Sequence, residues 1–450
     1  MNRREFLKCT AAGAAASWLG RVLPAEAKPA PKRRPNVVLI ISDDQAWTDC
    51  GFMGHRVVRT PRLDRLAARS LVFTRGYVPT ALCRPSLATI STGLYPHQHR
   101  IVGNDPNRAT RGPGWREEMI RHFATLETLP KVLGRAGYVS FQTGKWWEGH
   151  PRRGGFTDGM THGDPKRGGR HGDAGLAIGR KGLKPIWEFL DRHSGKPFLL
   201  WYAPFLPHAP HTPPKRLLGK YTAAGRPAAV AKYYAMCEWF DETCGELLDG
   251  LEKRGLAGDT LVVYVCDNGW IQWSGKRPSF DALRGKRTPY EGGVRTPIML
   301  RWPGRIEPRR DERTLASSVD IAPTVLAACG VKAPANLPGL NLLDAATVAK
   351  RKAIFGAAFA HDIANFADPS SGLRHRWGIE GRWKLIVPHA PNLPKAKVEL
   401  YDVIADPHEK RNLAERQPDK VAHLRERIEG WWPLARAAAK QAGGGGASGG

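Results

Sequence analysis

The chain has 450 residues, enough for one large domain and a smaller one, and its 42% hydrophobic and 25% charged residues exclude a disordered or fibrous protein. Lys and Arg number 69 against 42 Asp and Glu, a formal charge of +27 that favours anionic partners. No basic helix or aromatic-studded sheet motif supports nucleic-acid binding, and no run beyond the N-terminal segment is apolar and long enough to span a bilayer.

The start carries Arg3-Arg4 followed by Phe6-Leu7-Lys8, then a weakly apolar Ala/Gly-rich run and a small-x-small site at Ala25-Glu26-Ala27. Residues 1–27 therefore read as a twin-arginine export signal, lying outside the fold, and the chain is expected to be exported by that machinery without a stable membrane anchor. A Pro-rich basic lead-in, 28–35, precedes the apolar run 36–42, which reads as a strand buried on both faces and ends in Asp43-Asp44. Helices are predicted over 61–70 and 126–136, the latter leading into a strand at 138–141. The stretch Cys83-Arg84-Pro85-Ser86 opens a short helix that Gly93 stops.

Residues 151–182 are rich in Gly, Arg, His and Asp and read as a long functional loop. A helix is predicted over 182–192, a buried strand over 197–204, a His/Pro loop over 206–214 and a long amphipathic helix over 229–254. Strands are predicted over 260–266, ending in Asp267-Asn268-Gly269, and over 294–301, with a helix over 318–328. Alternating helices and buried strands imply an α/β layered domain with a mostly parallel or mixed sheet over 28–350. From 351 to 440 the texture changes to amphipathic strands (376–387, 398–403) and a helix (419–440), a small α+β subdomain with an antiparallel sheet. The Gly-rich end, 441–450, reads as a disordered tail.

Seven cysteines stand at 9, 50, 83, 237, 244, 266 and 329. Cys9 leaves with the signal, and chemical use of Cys83 leaves an odd number, which excludes a complete disulfide set. Cys237 and Cys244 are expected to pack on one face of their helix.

Two acidic pairs, Asp43-Asp44 and Asp267-Asn268, each follow a buried strand, where open α/β sheets place their sites. Three carboxylates and an amide oxygen suit a hard cation such as Ca²⁺ or Mg²⁺. Lys145 and Lys286 each follow a glycine, which lets backbone approach an anion closely. His208 and His211 lie in a Pro-stiffened loop and can give a proton to a leaving group. Cys83, at a helix N-terminus, is placed where negative charge is favoured. Trp146, Trp147, Trp270 and Trp273 could line a sugar-stacking cleft.

In this order these segments resemble the type I sulfatases of the alkaline phosphatase superfamily. The carrying stretches are 36–44, Cys83-x-Pro85-Ser86 with Thr92-Gly93, Gly144-Lys145-Trp146, 206–214, Asp267-Asn268-Gly269, Gly285-Lys286-x-Thr288-Pro289-Tyr290-Glu291-Gly292-Gly293-Val294-Arg295 and Glu399-Leu400-Tyr401-Asp402. The resemblance spans about residues 36–430. It implies an alkaline phosphatase-like three-layer sandwich and a sulfuric ester hydrolase. Cys83 would be converted to formylglycine by a formylglycine-generating enzyme, and Asp43, Asp44, Asp267 and Asn268 would hold Ca²⁺. Lys145 and Lys286 would clamp sulfate, and His208 would be the general acid, with His211 its neighbour.

Two positions depart from the family pattern: Leu87 stands where an Arg is usual, and Trp147 where a His is usual. Arg84, His150 or His211 are the nearest polar substitutes, and Arg84 and His211 are expected to contact substrate. The positive charge favours a sulfated glycan substrate. A phosphate or phosphonate ester hydrolase on the same scaffold, and a catalytically silent binder of sulfated polysaccharide, are the alternatives.

Overall fold

A computed structural model describes residues 34–107, 115–162, 177–222, 225–271 and 283–434. The expected signal, the expected tail, residues 163–176 of the Gly-rich loop and Trp273 lie outside the described residues. The large sheet has eight strands: β1 Asn36–Ser42, β2 Leu71–Phe73, β3 Val139–Gly144, β4 Asp158–Gly159, β5 Phe198–Ala203, β6 Thr260–Cys266, β7 Ile298–Arg301 and β8 Arg309–Asp311. Their spatial order is β8-β2-β7-β6-β1-β5-β3-β4.

β1 is central because it is apolar on both faces. Val37, Leu39 and Ile41 point into one hydrophobic layer, and Val38 and Ile40 into the other. It pairs in parallel with both β5 and β6. β7 runs antiparallel to β6 and to β2, so the sheet is mixed. Helices cover both faces. On one side lie α2 (Cys83–Thr92) and α5 (Ile321–Ala328); on the other lie α1 (Pro61–Ala68), α3 (Lys184–Arg192) and α4 (Ala228–Lys253). The result is the three-layer α/β sandwich the sequence leads one to expect.

The C-terminal part forms an antiparallel sheet of β9 (Ala353–Phe359), β10 (Leu373–Glu380), β11 (Trp383–Pro388) and β12 (Glu399–Asp402). Helix α6 (Pro418–Trp431) lays Leu424 and Ile428 on Leu385, Val387 and Leu400. Both sheets belong to one compact unit, without a division near residue 350. A buried ion cluster helps join them. Lys384 Nζ on β11 lies 3.0 Å from Glu291 Oε1 and 3.1 Å from Glu409 Oε1, and all three side chains are closed to solvent. Tyr77 donates to Glu291 Oε2 at 3.0 Å.

Several elements differ from the sequence expectation. The helix predicted over 126–136 is Leu129–Arg135, capped by the Thr128 hydroxyl, and it is preceded by a helix the sequence reading did not predict, Trp115–Thr125. The predicted strand 294–301 starts as a one-turn helix, Glu291–Val294, and becomes β7 only after Pro297. The single strand expected over 376–387 is a hairpin, β10–β11, turning at Gly381 with φ +56°. Of the seven cysteines, the six at 50, 83, 237, 244, 266 and 329 are free and buried. Among the described residues no helix is long and apolar enough to cross a membrane.

Lys384→Ala leaves two buried carboxylates facing each other with only Arg295, 3.5 Å from Glu291 Oε2, as a counter-charge. Its unfolding free energy is expected to fall by about 3–5 kcal/mol in denaturant titration; an unchanged midpoint would contradict the role given to this cluster.

Candidate active site

Adjacent strands running in parallel end at the same edge of a sheet, and this places Asp43-Asp44 after β1 beside Asp267-Asn268 after β6. The Asp267 backbone N–H donates to Ser42 O at 3.0 Å, and that of Asp43 to Leu206 O at 2.9 Å. Asp44 takes a left-handed backbone, φ +58°, that an Asx residue tolerates. In this bend its N–H donates to Asp267 Oδ1 at 3.1 Å. Asn268 Nδ2 donates to Asp44 Oδ1 at 2.6 Å.

The two lysines enter from opposite sides. Lys145 follows β3, and its N–H donates to Ala203 O at 2.8 Å. The turn requires Gly144: at φ +73° a Cβ there would stand 1.7 Å from Ala203 O. Lys145 Nζ reaches Asp43 Oδ1 at 2.6 Å and Asp267 Oδ2 at 3.1 Å. Lys286 Nζ reaches both Asp44 oxygens, at 2.5 and 2.7 Å, and Cys83 Sγ at 2.9 Å. Neither is a solvated surface lysine; they are 1% and 8% exposed. Cys83 begins α2, as expected, and Gly93 caps the helix at φ +73°.

Three buried carboxylates thus face two ammonium groups. Burial works against charge on Asp44, yet Lys286, His208 and Lys145 hold it well below the ordinary carboxylate range. Burial pushes Asp267 well up; Lys145 opposes this, and the charges of Asp43 and Asp44 add to it. Burial works against both lysines too. The neighbouring carboxylates outweigh it, Asp267 and Asp43 for Lys145 and Asp44 for Lys286, and raise both.

Two oxygens in this cluster, Asp43 Oδ2 and Asn268 Oδ1, are buried without a hydrogen-bond partner among the described residues. Orphaned buried acceptors are rare, and here they belong to an all-oxygen set carrying excess negative charge. That combination fits a hard divalent cation. Asp43, Asp44, Cys83 and His208 also bring ligand atoms within 4.8 Å of one another.

The two loop histidines separate. His208 Nε2 lies 3.4 Å from Asp44 Oδ2, while Nδ1 donates to Ala209 O at 2.6 Å. Its Nε2 is thereby turned toward the carboxylate cluster. His211 instead sits against Tyr233 and Trp270, with ring centroids 5.8 and 6.4 Å away. Burial, then the neighbouring His208, push it down.

Beside Asp44 and Lys286 a cleft of about 190 Å³ opens, lined by Trp47, His55, Trp270, Arg284 and His408 among others. Trp270 stacks on Tyr233 at 3.4 Å, and Arg295 supports the Trp47 ring at 3.9 Å. Trp146 and Trp147, expected in such a cleft, are 2% exposed and belong to the core. Trp47 takes that place instead, being half-buried two residues beyond Gln45 in the loop after β1.

A family profile described as Sulfatase matches residues 35–331, and one described as N-sulphoglucosamine sulphohydrolase, C-terminal, matches 280–431. The chain belongs to the sulfatase family. It is 30% identical to the N-acetylgalactosamine-6-sulfatase of Homo sapiens over 350 residues, covering 69% of this chain and 65% of that one. It therefore spans somewhat less than two thirds of the length of that relative. It is 24% identical to the N-acetylgalactosamine-6-O-sulfatase of Bacteroides thetaiotaomicron over 506 residues, covering 88% and 93%. In fold it is similar to a solved structure in complex with its substrate D-glucosamine-2-N,6-O-disulfate, with TM-score 0.69, 21% identity and coverage of 89% and 97%. It is also similar to the phosphonate monoester hydrolase of Agrobacterium radiobacter, with TM-score 0.67, 20% identity and coverage of 88% and 95%.

Within this sulfatase scaffold the two departures are apolar together. Leu87 and Trp147 are buried in one hydrophobic cluster. Arg84, expected to contact substrate, is turned away from solvent. Its Nε and Nη2 donate to Glu148 Oε1 and Oε2, each at 2.6 Å, and the two side chains are 0% and 4% exposed. This pair ties the start of α2 to the loop that carries Lys145. His150 is exposed and caps the turn at 151–154. Sequence reasoning missed Glu148, whose burial beside Trp146 and Trp147 shows only in the fold and demands a cation.

Arg84→Met and Glu148→Leu each strand a buried charge and are expected to cost about 3–5 kcal/mol, whereas the two together cost much less than their sum. A double-mutant cycle by denaturant unfolding reads the difference. Additive losses would show that the pair is not coupled.

Proposed function

We propose that this chain is an exported sulfatase that hydrolyses a sulfate ester on a sulfated glycan. The observation that carries the reading is the position of Cys83 Sγ, 2.9 Å from Lys286 Nζ and 3.8 Å from Asp44 Oδ1 at the start of a helix. The names of the relatives in Homo sapiens and Bacteroides thetaiotaomicron support a sulfated amino sugar as the unit acted on. Export is supported by Arg3-Arg4 and Ala25-x-Ala27.

Formylglycine, made from Cys83 by the generating enzyme, would supply a hydrated aldehyde as nucleophile, and Asp43, Asp44, Asp267 and Asn268 would hold Ca²⁺, which would supply Lewis-acid chemistry. Lys145 and Lys286 flank the place of attack and are preorganised to hold sulfuryl oxygens as charge develops. The dipole of α2, which begins at Cys83, adds to that field. His208 is aimed inward at Asp44 by its bond to Ala209 O, and it gives its Nε2 proton to the leaving ester oxygen. Arg84 and Glu148 position the two loops and touch neither substrate nor cation.

Tryptic mass analysis of the Cys83 peptide, from a host that holds the generating enzyme, is expected to show the aldehyde. An intact thiol together with sulfated-polymer binding and no turnover would favour the silent binder. Lys286→Ala is expected to lower kcat/KM on a sulfate ester by about 10²–10³-fold. Turnover should be lost on chelation and restored by Ca²⁺. A matched phosphonate ester cleaved faster than the sulfate ester would overturn the substrate class.

A further inference from the structure

A second groove, of about 480 Å³, opens far from Cys83 between the segment around residues 350–355, the Tyr95 turn and the end of α6. Cys83 begins α2 and Tyr95 follows its last residue, Thr92, by three positions. A ten-residue helix is about 15 Å long, so the groove and the sulfur lie at opposite ends of one rod.

One wall of the groove is aromatic. The Trp431 ring lies 5.0 Å from Tyr95, edge-on, and 5.5 Å from Phe355, nearly parallel at 13°. Such packing holds the indole rigid while leaving it half-buried. The other wall is cationic. Lys350 and Lys352 are exposed, and Arg427 is half-buried near Glu380, 3.4 Å away. Between the lysines, Arg351 is turned inward and clamped to both Asp320 oxygens at 2.6 Å, which fixes the backbone that carries them. No acidic residue is among the described residues that line the groove.

We infer that this groove is a binding site for a second stretch of the sulfated polysaccharide whose ester is cut at Cys83. Aromatic faces pack on the apolar faces of sugar rings, and free ammonium groups take sulfates. A polymer bound at both places is held at a high effective concentration, whereas a monomeric ester reaches only the centre. The choice of polymer rests on the sulfatase reading; the groove does not.

The test uses the full chain and compares the parent with Lys350→Ser/Lys352→Ser and with Trp431→Ala. It reads Kd for heparin and chondroitin sulfate in a Cys83→Ala background, and kcat/KM for a small aryl sulfate and for sulfated polymer otherwise. Polymer Kd is expected to weaken about fivefold or more in each variant, and polymer kcat/KM to fall with it. The small ester should turn over at the parental rate. Unchanged polymer Kd in the lysine variant would overturn the site, as would an equal loss on the small ester. Duplex DNA serves as a control for charge alone: DNA bound as tightly as the sulfated polymers and weakened equally by Trp431→Ala would overturn the glycan assignment. The lysine variant alters only exposed side chains, so it decides the matter even where Trp431→Ala fails to fold. Polymer binding lost in the variants, with no ester cleaved by the parent, would sink the sulfatase reading and leave the groove standing.

Discussion

Three buried carboxylates, Asp43, Asp44 and Asp267, are held together by two ammonium groups, and every other part of the site is arranged to keep them there. Charges taken out of water are costly unless they are paired and fully hydrogen-bonded. The strand ends bring the carboxylates close, and Lys145 and Lys286 then enter between them from separate turns. The compensation is incomplete: two lysines answer three carboxylates, His208 approaches only Asp44, at 3.4 Å, and two oxygens lack partners among the described residues. A fold that gathers such a set without neutralising it is preorganised for a divalent ion and an anionic ester, since each supplies what the other opposes.

The scaffold carries this load through the order of its strands. β1 and β6 are neighbours, so their terminal acids meet without any long loop. Gly144 and the Asp44 bend turn the backbone tightly enough to aim side chains back over the sheet edge. Glu291, four residues before Arg295 in the segment that begins with Lys286, is anchored by Lys384 of the small sheet. The C-terminal sheet thus buttresses one of the two cationic arms.

Much of this was legible in the chain because the relevant signals are local. Buried parallel strands announce themselves as apolar runs, and acids immediately after them fall at one edge. The stop at Gly93 and the start at Cys83 follow from helix-end chemistry. What stayed hidden depends on partners distant in sequence. Arg84 looks available for substrate until Glu148, 64 positions away, takes both sides of its guanidinium. Trp146 and Trp147 carry no sequence mark of being core instead of cleft. β9 was overlooked because Gly356, Ala357 and Ala358 are weak strand formers, held in place by pairing with β10. Leu87 and Trp147 seemed to weaken a polar site; in the fold they extend a hydrophobic layer, and the Arg84–Glu148 pair sits at the same junction.

Calorimetric titration of the full chain with Ca²⁺ addresses the charge imbalance itself. Binding of a single ion per chain, abolished in Asp267→Ala and in Asp44→Ala chains that remain folded, is the result this account requires. A wild-type chain that takes up no divalent ion, or takes it up equally well without those carboxylates, would contradict it.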